Sequence, residues 1–218
     1  MTSVATPTKK SGLFGPDELK VIKDPLWDNN PIAFQILGIC SALAVTTRID
    51  KAIVMGIGVT FVASLANVII STIRALIPNK IRIIVQLVVV SGVVIVFDQI
   101  LRAYMYDLSK ELSVFVGLII TNCIVMGRLE AYAMGNPPWR SFLDGVGNGL
   151  GYAWILIVVG AIREVFGSGN LLGVQVVPQA LYDAGYVNNG LMVLAPGAFV
   201  LLGIIVWIQR SISGYVEK

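Results

Sequence analysis

The sequence contains no histidine, only two cysteines and few charged residues for its length of 218. The absence of His excludes His-ligated haem, zinc sites that include His, and catalytic triads with an imidazole base. Cys40 and Cys123 each lie inside an apolar run, whereas a disulfide scaffold would place more cysteines in polar loops. Charged residues make up 13% of the chain, about half of the roughly 25% in ordinary soluble domains. The net charge of +3 gives no indication of nucleic-acid binding.

Hydrophobic residues make up 56% of the chain and form six apolar segments, which predict an all-α integral membrane protein. A bilayer core of roughly 30 Å needs about 20 helical residues. The first and fourth segments offer only about 16 residues each, which is too short for a complete span. These two segments contain Cys40 and Cys123. The segments cover residues 32–47, 52–73, 81–105, 112–127, 146–166 and 190–209.

We predict six transmembrane helices arranged as two inverted three-helix repeats, residues 31–105 and 112–210, with short half-helices at the cysteines. Short segments at matching positions of such repeats indicate a binding site. Residues 1–30 are predicted to be a polar cytoplasmic tail, with a short surface helix at 17–23, and residues 211–218 a second cytoplasmic tail. On this topology most Lys and Arg residues lie on the side of the two termini, which places both termini in the cytoplasm.

The two cysteines have two possible roles, small buried hydrophobes or metal ligands. If the first and fourth helices cross at the repeat axis, both sulfurs lie near the middle of the membrane. Two thiolates cannot complete a four-thiolate iron–sulfur site, so the other ligands would come from a second copy or a related subunit. Soft thiolates in an apolar setting favour iron–sulfur or copper(I). The pattern therefore predicts either inert cysteines or a metal site at an interface.

Two acidic residues lie in or next to the predicted helices. Asp98 lies inside the third segment, where a carboxylate is a candidate for an ion or proton pathway, although Arg102 one turn away offers an ion pair. Asp144 precedes the fifth segment, where the helix dipole favours a negative charge, and a capping role competes with an ion-pathway role. The glycines that follow Asp144 come in pairs four residues apart, which indicates close helix packing rather than a nucleotide loop.

Three runs of the sequence resemble the family of D subunits of the sodium-translocating NADH:quinone oxidoreductase (Na+-NQR). They are LGICSALAVTT at 37–47, TNCIVMGRLEA at 121–131 and DGVGNGLGY at 144–152. The resemblance extends from about Asn29 to the end of the sixth segment. The matching subunit of the Rnf electron-transport complex shares the second cysteine motif. In that sister family a Pro is expected after the first cysteine, so Ser41 favours the quinone reductase.

The resemblance implies a specific function. Such complexes pass electrons from NADH through flavins and iron–sulfur centres to ubiquinone and export sodium across the bacterial inner membrane. Their D and E subunits are homologous, have opposite orientations and hold a 2Fe-2S cluster between them. The cysteine ligands of the D subunit map onto Cys40 and Cys123, and a single iron with four cysteines would use the same ligands.

The same resemblance assigns FMN, riboflavin, FAD, NADH and quinone to other subunits, and it implies the E, A, B, C and F subunits as partners. Asp98 and Asp144 match membrane acids connected with sodium handling. Three alternatives remain: the equivalent subunit of the Rnf ferredoxin:NAD complex, an inverted-repeat secondary transporter, and a structural scaffold with inert cysteines.

Overall fold

The computed structural model describes residues 16–27, 29–78, 80–104, 117–171, 174–175 and 190–212. Several predicted regions lie outside these residues in whole or in part. They are the outer parts of the two tails, the beginning of the fourth apolar segment at 112–116, and most of the long connection between the fifth and sixth segments.

Almost all of the described chain is helical, which confirms the predicted class. The helices are α1 Pro16–Lys23, α2 Ile39–Val45, α3 Ile49–Ile73, α4 Arg82–Tyr104, α5 Cys123–Arg128, α6 Pro138–Ser168, α7 Gly190–Val193 and α8 Ala195–Ile212. Residues 117–120 are also helical. Short 3-10 turns cover Asp24–Leu26 and Arg74–Leu76, and a π-helical turn covers Leu129–Ala133. The strands β1 Asn170–Leu171 and β2 Val174–Gln175 form an antiparallel pair.

Among the described residues, four helical segments are long and apolar enough to cross a membrane. They correspond to the second, third, fifth and sixth predicted segments, which confirms those four. Within their described residues, the first segment contains the short helix α2, and the fourth contains helical residues 117–120 and the start of the short helix α5. The spanning segments are Ile49–Leu76, Arg82–Tyr104, Pro138–Ser168 and Ala195–Ile212.

Helices α3 and α6 pack against each other in antiparallel fashion and form the centre of the fold. A Cβ atom added at Gly145 would lie 2.6 Å from the Cα of Ser64, and one at Gly149 would lie 2.5 Å from the Cα of Thr60. Only glycine permits such a close approach of the two backbones, as in other membrane helix pairs. The predicted packing role of these glycines is confirmed.

The second glycine pair of α6 faces the N-terminal segment. A Cβ atom at Gly147 would lie 2.9 Å from the carbonyl oxygen of Val21, and one at Gly151 would collide with the carbonyl oxygen of Pro25. The side chain of Asn30 also donates a hydrogen bond of 3.0 Å to the carbonyl of Gly151. The short helix predicted at 17–23 is present as α1, and the segment that follows it packs along α6.

Two predicted helix starts are wrong. The first segment is predicted from residue 32, but the chain forms turns there, in which the side chain of Asn30 accepts hydrogen bonds from the amides of Ile32 and Ala33, and α2 begins only at Ile39. Between these turns and α2, Ile36 and Gly38 have positive φ angles of 55° and 76°, which are incompatible with a continuous right-handed helix.

The fifth segment begins eight residues before its predicted start, at Pro138, because proline is well suited to the first helical position.

Candidate functional site at the two cysteines

Cys40 and Cys123 line the same small cleft, and both are exposed. We call residues 38–41 the Cys40 turn and residues 121–124 the Cys123 turn. The cleft has a volume of about 30 Å³. Because both cysteines are exposed, a centre that used both thiols would form on their exposed side. The cleft is lined by Gly38, Cys40, Ser41, Leu118, Thr121, Asn122 and Cys123.

The Cys40 turn depends on the left-handed backbone of Gly38. Its φ of 76° is disfavoured for residues with a side chain. A Cβ atom at this position would also lie 2.6 Å from Cδ1 of Ile124. Glycine therefore lets α2 begin immediately before Cys40 and lets the two cysteine turns pack directly against each other.

The Cys123 turn is held by a conventional helix cap. Asn122 has an extended backbone, and its side-chain oxygen accepts a hydrogen bond of 3.0 Å from the amide of Ile124. Asparagine is among the preferred residues at this position because its oxygen satisfies an amide that lacks a helical partner. Cys123 is consequently the first residue of α5, next to the residue that fixes the helix start.

A buried polar network joins the two turns. The hydroxyl oxygens of Ser41 and Tyr152 are 2.6 Å apart, and the side-chain amide of Asn122 donates to Ser41 Oγ at 3.2 Å. Ser41 Oγ lies 2.9 Å from the carbonyl oxygen of Gly38, to which it donates. All three side chains are buried. The network connects the neighbour of Cys40 with the neighbour of Cys123 through a tyrosine of α6.

Arg163 anchors the carboxyl end of α2 to the far end of α6. Its guanidinium group donates to the carbonyl of Leu43 at 3.2 Å and to Thr46 Oγ1 at 2.6 Å. It also donates to the carbonyls of Met192 and Val193 at 3.0 and 2.7 Å. Only 1% of Arg163 is exposed. A buried cation at this position complements the negative end of the helix that carries Cys40.

Arg128 anchors the carboxyl end of α5 to the beginning of α6. Its Nε donates to Asp144 at 2.9 Å, and its Nη2 binds the second oxygen of the same carboxylate. Asn148 donates to that carboxylate at 3.1 Å. Burial raises the pKa of Tyr132, whose ring lies beside Arg128, and the charge of Asp144 adds to this increase. Of the two roles considered for Asp144, capping is wrong, since the residue lies inside α6 and forms a forked ion pair.

Asp98 lies in α4 and pairs with Arg102 one helical turn later, at 2.8 Å. Its other carboxylate oxygen is buried and has no hydrogen-bond partner within the described part of the chain. Neither Asp98 nor Asp144 is among the described residues that line the cleft. The two predicted acidic residues therefore do not line the cleft, although Asp144 is connected to the helix of Cys123 through Arg128.

The candidate metal ligands in the cleft are the thiols of Cys40 and Cys123. Within the described ranges, no group of three or more His, Cys, Asp or Glu side chains is placed to hold a metal ion. Two exposed thiols on one cleft could supply half of the ligands of a four-thiolate centre. Thiolate ligands suit a soft metal.

Sequence reasoning missed Tyr152 and Arg163 as residues of this site. The neighbours of the cysteines, Ser41 and Asn122, are visible as polar residues in apolar runs. Tyr152 lies 111 residues beyond Ser41 along the chain, and no local pattern connects them. Only the packing of α6 behind both turns reveals the contact.

The fold, with four helical segments among the described residues that are long and apolar enough to cross a membrane, defines a polytopic membrane protein. The chain belongs to the Rnf-Nqr family: the family model described as "Rnf-Nqr subunit, membrane protein" matches residues 18–206. It is 58% identical over 200 residues to the D subunit of the Na(+)-translocating NADH-quinone reductase of Yersinia pestis (strain Pestoides F), and the match covers 91% of this chain and 96% of that protein. It is 57% identical, with the same coverage, to the protein of the same description from Serratia proteamaculans (strain 568).

Proposed function

We propose that this chain is the membrane subunit of a sodium-translocating NADH:ubiquinone reductase that provides half of an iron–sulfur site within the bilayer. Cys40 and Cys123 would supply two ligands, and a homologous chain of inverted topology, the E subunit of such a complex, would supply two more. The chain would carry electrons across the membrane in a process coupled to sodium export, and it would be inactive alone.

The observation that carries this proposal is the placement of both thiols on one exposed cleft. The cysteines come from different parts of the sequence, yet the two turns contact each other through Gly38 and Ile124. Cysteines that serve only as small hydrophobic residues are not expected to line the same exposed cleft. When bound, an iron–sulfur cluster accepts and donates single electrons. The chain's own contribution is to place two thiols on one cleft, next to packed apolar and hydrogen-bonded residues.

Reciprocal anchoring of α3 and α6 supports two inverted repeats. Near the end of α3, Asn67 donates to the carbonyl of Ser141 at 3.1 Å, and Arg74 donates to that of Asn136 at 2.7 Å. Near the end of α6, Arg163 binds the residues that precede α3, and Glu164 accepts from the amide of Ile49 at 2.8 Å. Each long helix thus fastens the start of the other, as expected of two halves related by an axis in the membrane plane.

The connection between the repeats also has to cross the membrane. Helices α3 and α4 are joined by a short link, which makes them antiparallel neighbours, whereas α6 is itself antiparallel to α3. Helix α4 therefore ends on the opposite side from the one where α6 begins. The fourth apolar segment lies between these two ends and includes the Cys123 turn, which supports six membrane segments with half-helices at the cysteines.

The proposed orientation places both termini in the cytoplasm of a bacterium, with the chain in the inner membrane, because most basic residues fall on that side. The two relatives described above are named as NADH-quinone reductase subunits, which favours this complex over Rnf. The A, B, C and F subunits would be further partners, and they would hold FMN, riboflavin and FAD. Asp98 and Asp144 remain the proposed carboxylates of a sodium pathway.

The test is the metal content of the whole complex with Cys40→Ala or Cys123→Ala. Each variant should lose the iron of this site and the quinone reductase activity, while Thr121→Ala, in the same cleft but without a thiol, should keep both. Loss of acid-labile sulfide together with iron would indicate 2Fe-2S, and loss of iron alone would indicate a single iron. Retention of all iron in both cysteine variants would refute the proposal.

A further inference from the structure

Tyr152 is a polar side chain completely enclosed in the protein at the level of the cysteine turns. None of its surface is exposed, and it belongs to the spanning helix α6. A hydroxyl group in such surroundings needs a hydrogen-bond partner, because no water is available to replace one. Its partner is Ser41, the residue that follows Cys40.

The number of donors and acceptors in this network determines which group donates in each hydrogen bond. Ser41 has one hydroxyl hydrogen, which it donates to the carbonyl of Gly38. Its oxygen accepts from Asn122, so the remaining contact requires Tyr152 to donate to Ser41. Every hydrogen bond then has one donor and one acceptor. The hydroxyl of Ser41 is the common point at which both cysteine turns and α6 meet.

Each turn depends on a member of the network. Asn122 also caps α5, which begins with Cys123. Gly38 contacts the ring of Tyr152, since a Cβ atom added at Gly38 would lie 3.2 Å from Cε2 of the ring. Movement of the tyrosine hydroxyl would therefore disturb Cys40 through Ser41 and Cys123 through Asn122. Apolar packing alone does not provide this connection.

We infer that Tyr152 is a positioning residue for the metal centre, whose hydroxyl fixes the relative placement of the two thiols and thereby its reduction potential. The inference rests on the proposed function, because it requires that both thiols bind the same centre. Hydrogen-bonded residues behind the ligands orient them, and hydrogen bonding around the sulfurs tunes the potential of such centres. A tyrosine that only filled space would act through its ring and would not need its hydroxyl.

The experiment compares the intact complex with its Tyr152→Phe and Ser41→Ala variants, with Tyr104→Phe as a control, because Tyr104 is 86% exposed at the end of α4 and does not belong to this network. The measurements are iron content, the reduction potential of the centre from a redox titration, and its electron paramagnetic resonance spectrum. Tyr152→Phe keeps the ring and removes only the donor. We expect iron to be retained, the potential to shift and the resonance to change, while Tyr104→Phe stays at the parent values.

Ser41→Ala removes the shared acceptor and should shift the potential in the same direction, with a resonance change of the same kind. Parent-like potentials and spectra in both Tyr152→Phe and Ser41→Ala would overturn the inference and leave the proposed function intact. Failure of both variants to assemble, with Tyr104→Phe assembling normally, would also overturn it, because the network would then be needed for folding. Iron retained by Cys40→Ala and Cys123→Ala would instead refute the proposed function.

Discussion

The two cysteine turns and their helices both contact α6, but different interactions hold each of them in place. The Cys40 turn uses a left-handed glycine at its start, and its helix is fastened at the end by a buried arginine of α6. The Cys123 turn uses an asparagine cap at its start, and its helix ends with its own arginine, which pairs with Asp144 near the beginning of α6. One turn is thus tied to the last part of α6 and the other to its first part.

This difference shows how one long helix controls the spacing of two short ones. Helices of six or seven residues are too short to be stable alone, so contacts outside them must determine their position. Tyr152, which contacts Ser41, lies in the same helix as Arg163 and Asp144. Helix α6 therefore contacts both cysteine helices and serves as their common reference. Each anchor should affect mainly its own turn, and four predictions test this.

The largest effect is expected from breaking the ion pair that fixes the Cys123 turn. Arg128→Ala or Asp144→Ala leaves a buried charge without its partner, which costs about 3–5 kcal/mol. Hydrogen exchange of the complex, followed by mass spectrometry, should show lost protection at residues 123–128 and little change at 39–45. The double variant should be less destabilised than the sum of the single variants, and a purely additive result would contradict a direct pair.

Loss of the Arg163 anchor should have the next largest effect, this time at the Cys40 turn. Arg163→Ala removes hydrogen bonds to the end of α2, and we expect a loss of about 3 kcal/mol. Exchange should increase at 39–45 more than at 123–128. Arg163→Lys keeps the charge but not the forked geometry, so it should fall between the parent and Arg163→Ala. Equal loosening of both turns would show that Arg163 does not act on one turn selectively.

A medium effect is expected where the two turns contact each other. Gly38→Ala combines a disfavoured backbone with a collision against Ile124, and together these should cost about 2 kcal/mol. Thermal unfolding of the complex would measure the loss. Ile124→Val removes the Cδ1 atom of the closest contact and should recover part of the stability in the double variant. No recovery would indicate that backbone strain at Gly38 accounts for the whole loss.

The smallest effect is expected outside both turns. Asp98→Asn interrupts a pair with Arg102, whose side chain is 54% exposed, and pairs of this kind contribute about 0.5 kcal/mol or less. Thermal stability and exchange at both turns should stay near the parent values. A defect in sodium transport by this variant would then reflect the ion pathway. A large loss of stability would mean that Asp98 has a structural role.

Much of the fold can be predicted from the sequence, because the length of an apolar run indicates whether a helix can cross the lipid bilayer. This is why α3, α4, α6 and α8 are found, and why the glycines of α6 indicate close packing. Helix ends are predicted less well. Helix α6 begins eight residues before its apolar run, with Pro138, Trp139 and Arg140, because hydropathy detects the part in lipid and not the polar first turns.

The site can be predicted only in part, for a related reason. Matched placement in two short segments identifies Cys40 and Cys123, and their role as shared metal ligands stays a prediction. The partners of Asp144 and Tyr152 come from distant parts of the chain, and no local rule pairs them. Asp144 in particular resembles a helix cap only while the true start of α6 is unknown. Contacts between α6 and distant parts of the chain determine the side-chain partners that the local sequence pattern does not predict.

The shared cleft can be tested most directly by bridging the two thiols in the iron-depleted complex with dibromobimane, which becomes fluorescent when both of its ends have reacted with thiols. A fluorescent product whose peptide map links Cys40 to Cys123 is expected in the parent chain, with none in Cys40→Ala or Cys123→Ala. Separate modification of each cysteine in the parent, without a linked peptide, would contradict the placement of both thiols at one site.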